Sequence, residues 1–247
     1  MITDVYDFDY SIISKAGNVK RKKGSRNKKN YKNLVCAFDI ETTRIKEIEQ
    51  SVMYIWQFQV DEKVTVIGRT WREFDYFTRA IASDLEDMDY IVVYVHNLSF
   101  EFQFLSGIYP FSKDEVFALD KRKVCKCEMF EHFEFRCSYI QTNMSLQTFT
   151  DKMNVKHKKL SGDLDYNTER YSYTQLTDEE LAYCINDVRG LVEAIKTEMK
   201  NDGDTLYTIP LTSTGYVRRD VQNALEGNRW ILRTQPAFDV YHAARPD

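Results

Sequence analysis

The chain has 247 residues, of which 43% are hydrophobic and 14% aromatic, so it is long enough to bury a sizeable core. No run approaches the roughly 18 apolar residues of a membrane helix, and no signal-peptide pattern opens the sequence. We therefore expect no membrane contact and a cytoplasmic setting. The 5 cysteines are odd in number and scattered, which predicts reduced thiols rather than a disulfide framework.

Charge is distributed unevenly along the chain. The net charge is −4, yet lysines and arginines crowd residues 15–32 while the remainder is acidic. Because Gly, Ser and Asn are interspersed among them, residues 1–32 are predicted to form a basic flexible arm that contacts phosphates or an acidic partner. A plain solvated tail is the alternative, although Val5, Tyr6, Phe8 and Tyr10 would allow part of the arm to dock onto the body.

Hydrophobic periodicity predicts an α/β fold after the arm. The stretch 34–43 is predicted to contain a buried central strand, and two further strands would complete an antiparallel meander before a helix and another buried strand. The predicted elements after residue 50 are strands Val52–Val60, Lys63–Thr70 and Tyr90–Val95, a hairpin over Phe117–Phe130 and Phe133–Ile140, and helices Trp71–Glu86, Leu146–Met153, Asp178–Met199 and Thr214–Leu225.

The first buried strand ends in two acids, Asp39 and Glu41. They are two residues apart and therefore lie on one face of the strand. Two carboxylates that point the same way repel each other and are costly to desolvate, so such a pair is often held by a hard divalent cation. Two ordinary acids at a solvated strand end are the alternative.

A third acid, Glu101, follows the strand Tyr90–Val95. The segment Tyr94–Glu101 leaves that strand through a turn into a probable helix, which is where ligands bind in α/β folds. His96 and Asn97 offer hydrogen-bonding groups, and Tyr94 and Phe100 offer rings on which a base could stack. Burial of Phe100 in the core is the simpler interpretation of that residue taken alone.

A fourth acid, Asp187, lies on the predicted helix Asp178–Met199. Thr177 and Glu180 form a capping box that marks its start. Tyr183 and Asp187 are four residues apart and so share one helical face. Without the other stretches, Asp187 would be interpreted as a residue at the rim of the buried stripe.

In combination, these stretches resemble the Exo I, Exo II and Exo III motifs of DEDDy 3′-5′ proofreading exonucleases: Asp-x-Glu, Asn-x-x-Phe-acid and Tyr-x-x-x-Asp, in that order. The closer resemblance is to the exonuclease domain of phage protein-primed family B DNA polymerases, because Ser145-Leu146 and Gly162–Tyr166 also look like segments of that domain. The resemblance covers residues 33–205. It implies a ribonuclease-H-like mixed β-sheet flanked by helices.

The resemblance also implies a role for each site residue. Asp39, Glu41 and Asp187 would bind two Mg²⁺ or Mn²⁺ ions, with Glu101 as an outer or water-mediated ligand, and Tyr183 would orient the attacking water. The substrate would be the 3′ end of single-stranded DNA. The residues expected to contact it are Tyr94, His96, Asn97, Phe100, Ser145, Leu146, Lys159 and Tyr166.

Two positions depart from the family pattern. Glu101 stands where the family has Asp, and Ser161 stands where it has a Lys that touches the scissile phosphate. Lys159, or Lys158, would have to supply that charge. Reduced activity is therefore expected, and a catalytically weak DNA-binding or terminal-protein-binding module of a replication complex is the alternative function.

Residues 206–247 are expected to be a helical lead-in to a polymerase domain whose motifs are absent from this sequence. The resemblance implies a phage or mobile-element protein in a bacterial host, with terminal protein or a separate polymerase part as further partners.

A zinc site is a competing interpretation of one segment. Cys125, Cys127, His132 and Cys137 are close in sequence, but Cys125 and Cys127 share a strand face with Met129, and structural zinc sites more often use Cys-x-x-Cys. An ordinary buried strand face is favoured.

Overall fold

A computed structural model describes residues 1–21, 24, 27–47, 49–160 and 168–224. The chain divides into two units, residues 1–211 and 212–247. The described part of the second unit contains the helix α7 (Ser213–Ala224), close to the predicted Thr214–Leu225, and its remaining residues from 225 on lie outside the described part of the chain. None of the helices among the described residues is both long and apolar enough to cross a membrane.

The first unit is built on one mixed β-sheet. Its strands are β1 (Ile2–Asp4), β2 (Asn30–Ile45), β3 (Gln50–Val60), β4 (Val64–Gly68), β5 (Asp89–Val95), β6 (Val116–Ala118), β7 (Val124–Met129) and β8 (Phe133–Cys137). Among the described residues the sheet has 8 strands in the order β1-β4-β3-β2-β5-β8-β7-β6. The predicted meander of β2, β3 and β4 is confirmed, and β7 and β8 form the predicted hairpin. The predicted strand Phe117–Phe130 is instead two strands, β6 and β7, and residues 138–140 of the predicted strand Phe133–Ile140 belong to a helix.

Strand β2 is central to the sheet. It is antiparallel to β3 and parallel to β5, which is in turn parallel to β8. The carboxyl ends of these three parallel strands therefore lie at one edge of the sheet, where the turns after β5 and β8 begin. That edge is the usual place for a ligand in an open α/β sheet.

Helices cover both faces of the sheet. They are α1 (Ser11–Ser14), α2 (Trp71–Asp84), α3 (Leu98–Ile108), α4 (Ser138–Thr142), α5 (Leu146–Lys152) and α6 (Asp178–Asp202). On one face Phe38 of β2 lies 4.8 Å from Phe74 of α2, measured between ring centroids. The helix α6 packs on β2 and β3. Because side chains alternate along a strand, Asp39 and Glu41 point to the α6 face.

The expected flexible arm is instead part of the fold over most of its described length. Strand β1 pairs in parallel with β4, and Val5, Phe8 and Ile13 are buried at 1%, 5% and 1% exposure. Of the aromatic residues near the start, Tyr6 stays 70% exposed. The prediction of a flexible arm over residues 1–32 was wrong because it gave most weight to the high charge of residues 15–32. The docking of Val5 and Phe8, which the sequence allowed, is confirmed, whereas the burial of Ile13 was not foreseen because these residues follow no helical or strand period.

Lysines near residue 30 neutralise acids inside the fold. Lys29 forms an ion pair of 2.7 Å with Glu134, which also accepts a hydrogen bond of 2.9 Å from the hydroxyl of Tyr31. Burial alone would raise the pKa of Glu134, but Arg136 and Lys29 outweigh it and lower that pKa to about 2. The hydroxyl of Tyr207 accepts a hydrogen bond of 3.2 Å from the backbone N–H of Tyr31. These contacts fix the chain just before β2 to the segment after α6.

Candidate active site

The acidic pair on β2 lies beside an irregularity in the sheet. Asp39 and Glu41 pair with Gln57 and Ile55 of β3, and the register shifts immediately after Glu41 so that Tyr54 has no direct partner. A bulge of this kind bends a strand and re-aims its side chains. The hydroxyl of Tyr54 is buried, and burial followed by the charge of Glu41 raises its pKa. Strand β2 continues to Ile45, so it does not end at these acids as predicted. Both acids follow Ala37, the last residue of β2 that pairs with β5, and they lie on the face of the sheet that α6 covers.

The third acid comes from the turn after β5. Asn97 has the left-handed backbone conformation, with a φ of 73°, and directs the chain from β5 into α3. Asparagine tolerates this conformation better than most residues. Glu101 lies in the first turn of α3 and is 3% exposed. The start of a helix favours a negative charge, so the fold partly offsets the cost of burying this acid.

The fourth acid lies on α6, whose capping box at Thr177 and Glu180 is present as predicted. Cys184 and Val188 are buried and lie on the apolar face of α6, which packs against the sheet. Asp187, next to Val188, is 8% exposed and therefore buried rather than at a solvated rim. The structure brings the acids of all three sequence stretches to one place.

The four acids interact strongly with each other. Burial, followed by the charges of Glu41, Glu101 and Asp187, raises the pKa of Asp39 well above its usual range. Burial and then Asp187 raise the pKa of Glu41 to about 7. Burial, reinforced by Glu41 and opposed by hydrogen bonds, raises the pKa of Glu101 to about 8. Without a cation the cluster therefore holds protons near neutral pH.

Lys159 supplies a positive charge to this cluster. Its ammonium lies 3.0 Å from Oδ2 of Asp187 and 6.0 Å from the ring centroid of Tyr183. Burial would lower the pKa of Lys159, but Asp187, Asp39 and Glu41 outweigh it and the pKa is raised. Burial of Asp187 outweighs the ion pair, and its pKa is also raised. Lys158 pairs with Asp151 instead, at 3.2 Å on the surface, and Ser161 lies outside the described residues.

The donors of the cluster suit a hard divalent cation. Oε2 of Glu101 and Oδ1 of Asp187 are buried and have no hydrogen-bond partner among the described residues, which is costly unless a cation or water binds there. Across the part of the chain that the structure describes, no three His, Cys, Asp or Glu side chains are close enough together to hold a metal ion. The carboxylates thus share one electrostatic cluster, and closing them around an ion requires side-chain movement.

A cleft opens next to the lysine. It has a volume of about 570 Å³ and is lined by His96, Asn97, Tyr139, Ser145, Leu146, Gln147 and Lys159. Five of the residues predicted to contact DNA therefore line one cavity. The hydroxyl of Ser145 also caps α5 by accepting a hydrogen bond of 3.2 Å from the N–H of Thr148.

Among the described residues, two predicted DNA contacts, Tyr94 and Phe100, do not line this cleft. Tyr94 is 0% exposed, so its ring offers no surface to a base, and its prediction as a stacking residue was wrong. Every residue of β5 is buried because the strand lies between two parallel neighbours with helices on both faces. Phe100 is 36% exposed and packs edge-to-face on Phe104 with centroids 5.4 Å apart. Tyr166 lies outside the described residues.

Sequence reasoning missed two residues at the end of β8. The hydroxyl of Ser138 lies 3.0 Å from Nδ1 of His96 and donates to the carbonyl oxygen of Val95 at 3.3 Å. Tyr139 is 45% exposed, and its ring is perpendicular to that of His96, with centroids 5.8 Å apart. Burial, followed by Lys159, lowers the pKa of His96 to about 4, so its imidazole is neutral at pH 7. The signal was available, since polar and aromatic residues at the end of a third parallel strand belong to the same edge.

The zinc alternative gains no support from the structure. Cys127 and Cys137 lie in the hydrophobic core with Met129. Nδ1 of His132 lies 2.8 Å from the carbonyl oxygen of Asp89. These side chains already have ordinary structural roles.

Solved structures similar to this chain are those of Phi29 DNA polymerase. Its complex with single-stranded DNA aligns at a TM-score of 0.62 and 16% identity, over 81% of this chain and 36% of the polymerase. The post-translocation complex of the polymerase with primer-template DNA aligns at a TM-score of 0.60 and 17% identity, over 81% of this chain and 36% of the polymerase. The ternary complex with primer-template DNA and nucleotides aligns at a TM-score of 0.54 and 19% identity, over 83% of this chain and 35% of the polymerase.

The chain thus spans about a third of the length of that polymerase. No protein-family model matches the sequence, and no curated protein matches it significantly. At this identity the likeness shows the fold, which is the predicted ribonuclease-H-like mixed sheet flanked by helices.

Proposed function

We propose that this chain is a two-metal-ion 3′-5′ exonuclease that acts on the 3′ ends of single-stranded DNA. The observation that carries the proposal is the convergence of Asp39, Glu41, Glu101 and Asp187 into one cluster beside an open cleft, in which Glu101 and Asp187 are buried and Asp39 and Glu41 half-buried. Buried acids with strongly raised pKa values are costly for a fold and are concentrated at functional sites. The likeness to Phi29 DNA polymerase supports the further proposal that the chain is the exonuclease part of a phage-type protein-primed polymerase.

The carboxylates have a defined role in this proposal. Asp39, Glu41 and Asp187 would hold the ions, with Glu101 as an outer ligand. When bound, divalent ions lower the pKa of a water molecule and neutralise charge on the leaving 3′ oxygen. The buried oxygens of Glu101 and Asp187 would gain the partner that they lack among the described residues.

The remaining residues would position the DNA. Tyr183 shares a helical face with Asp187, where its hydroxyl would orient the attacking water. The ammonium group of Lys159, which is paired with Asp187, would move to the scissile phosphate. There it would stabilise negative charge in the transition state. His96, Asn97 and Tyr139 line the cleft in which the terminal nucleotides would stack and form hydrogen bonds. Such contacts are independent of sequence, as proofreading requires.

A catalytically weak DNA-binding module is the second candidate. It is favoured by the ion pair of Lys159 with Asp187, which occupies one acid, and by Glu101, whose longer side chain departs from the family pattern. Terminal protein or a separate polymerase part would be its partner in a replication complex.

Digestion of a 5′-labelled single strand with Mg²⁺ or Mn²⁺ separates the two candidates. We expect stepwise shortening by the wild type and none by the double variant Asp39→Asn, Glu41→Gln. The matched control is Asp84→Asn with Glu86→Gln, a second Asp-x-Glu pair, which lies exposed on the surface. Equal digestion by the site variant and the control would show that the nuclease site is elsewhere, whereas DNA binding without digestion by the wild type would favour the binding module.

A further inference from the structure

The segment that carries Lys159 lies along one stripe of α6. Asn186, Gly190 and Glu193 are spaced by four and three residues, so they share a helical face next to Asp187. In the segment 157–159, here called the lysine loop, His157 and Lys158 contact this stripe, and Lys159 contacts the neighbouring Asp187. We name Asn186, Gly190 and Glu193 the docking track.

Two side chains of the track bind the loop backbone. Glu193 accepts a hydrogen bond of 3.0 Å from the N–H of His157 and lies 2.5 Å from Nδ1 of the same residue. Asn186 donates from its amide to the carbonyl oxygen of Lys158. The backbone on the N-terminal side of Lys159 is therefore held at two successive residues, and its direction is fixed.

Gly190 allows the backbone of the lysine loop to lie very close to α6. A Cβ atom at position 190 would overlap the carbonyl oxygen of His157, which is backbone and cannot rotate away. Glycine in the middle of a helix is destabilising relative to alanine. The glycine at position 190 accordingly has a specific packing reason, whereas Gly107 in α3 has nothing within 4 Å of the same position.

We infer that Asn186, Gly190 and Glu193 are positioning residues that hold the lysine loop so that the ammonium of Lys159 reaches the acidic cluster. The catalytic consequence rests on the proposed nuclease function, while the docking itself does not. The arrangement also accounts for the departure at Ser161, because a lysine two residues earlier in the chain reaches Asp187 when the loop follows the track.

The docking is tested by chemical labelling of lysines, which needs no nuclease activity. Brief acetylation of the full chain, resolved by mass spectrometry, compares Lys159 with the exposed Lys156. In the wild type we expect Lys159 to react several-fold more slowly, because its contact with Asp187 and its partial burial shield the amine from the reagent. Gly190→Ala should raise its reactivity towards that of Lys156, and Gly107→Ala should leave it unchanged.

The catalytic consequence is tested by a double-mutant cycle. Lys159→Met is expected to lower kcat about 100-fold with little change in DNA affinity, as for loss of one charge-stabilising group. Gly190→Ala should lower kcat in the wild type, but should cause no further loss in the Lys159→Met background. Asn186→Ala and Glu193→Gln, which leave the helix backbone unchanged, should behave as weaker versions of Gly190→Ala.

Each failure has a separate signature. Unchanged acetylation of Lys159 in Gly190→Ala and Asn186→Ala would overturn the docking track, whatever the activity. If the effects of Gly190→Ala and Lys159→Met on kcat are additive in free energy, Gly190 acts on the fold and not through Lys159. A wild type without nuclease activity, but with protected Lys159, would refute the proposed function and leave the positioning role of the track supported by labelling.

Discussion

At the scale of single residues, Glu101 is the most unusual group in the cluster. Its side chain is one methylene longer than the aspartate of the resembled family, which moves the carboxylate by about 1.5 Å. The side chain is 3% exposed, so it cannot relax into solvent. Mg²⁺ requires near-ideal octahedral geometry and tolerates such a shift poorly.

The wild type is therefore expected to be more active with Mn²⁺ than with Mg²⁺, and Glu101→Asp should shift the ratio of the two rates towards Mg²⁺. Digestion rates measured side by side in the two ions give this ratio. The variant Glu101→Ala tests whether Glu101 takes part in the reaction at all. If alanine leaves the rate unchanged with both ions, Glu101 has no part in the chemistry.

Tyr183 is expected to affect rate and not affinity. Tyr183→Phe removes only the hydroxyl that would orient water, so kcat should fall by roughly tenfold to a thousandfold while the Kd for single-stranded DNA stays constant. Single-turnover digestion and equilibrium binding measure the two separately. An equal loss in affinity would assign the hydroxyl to DNA binding instead.

Tyr139 is expected to show the opposite behaviour. Because its exposed ring lines the cleft, Tyr139→Ala should weaken binding of single-stranded DNA by about 1–3 kcal/mol, the range for loss of one stacked base. Phe117→Ala, at 44% exposure on an edge strand, is the control and should bind normally. Fluorescence anisotropy with a short labelled oligonucleotide measures both. Equal affinities would place the DNA path elsewhere.

At the scale of elements, the N-terminal segment shows how composition misled the prediction. Fully buried aromatic residues typically cost about 3–5 kcal/mol when truncated to alanine. Phe8→Ala should therefore lower the free energy of unfolding by about 3 kcal/mol, measured by urea denaturation. Tyr6→Ala, two residues away and exposed, should change it little. A flexible arm would give no change for either variant.

Other elements were predicted well where the sequence near them carries a clear pattern, and poorly where it does not. The helices α2 and α6 have capping boxes and an apolar period, and both were located to within a few residues. The short strand β1 was missed because its pairing with β4 is set by contacts distant in sequence. The acids were found because each follows a recognisable strand or lies on a clear helical face. Lys159 was only one of two possible substitutes until the packing of its loop on α6 distinguished it from Lys158.

At the scale of the whole molecule, the acidic cluster makes stability depend on pH. At a pH below about 4.5, the ordinary value for glutamate, Glu41 and Glu101 are protonated whether the chain is folded or not. Between that value and about 8 the unfolded chain releases these protons first, so the unfolded state is favoured as pH rises. Metal-free protein should thus lose stability across this window.

Addition of Mn²⁺ should therefore raise Tm more at pH 8 than at pH 5, because ions bind the deprotonated cluster. Thermal denaturation with EDTA and with Mn²⁺ at both values measures the difference. The variant Glu41→Gln with Glu101→Gln is the control and should show a flatter pH dependence. An equal shift in Tm for variant and wild type would place the bound ion outside the cluster.

The contact between Tyr31 and Tyr207 has a consequence for the order in which the protein is synthesised. These residues are 176 positions apart, so β2 leaves the ribosome long before the segment that closes over it. At ~5–20 residues per second the delay is roughly 10–35 s. During this interval the central strand has neither α6 nor its final anchor, and its apolar residues must be kept from aggregating. Ribosome-bound chains that stop before α6 should accordingly remain sensitive to protease, and resistance should appear only once residue 207 has emerged.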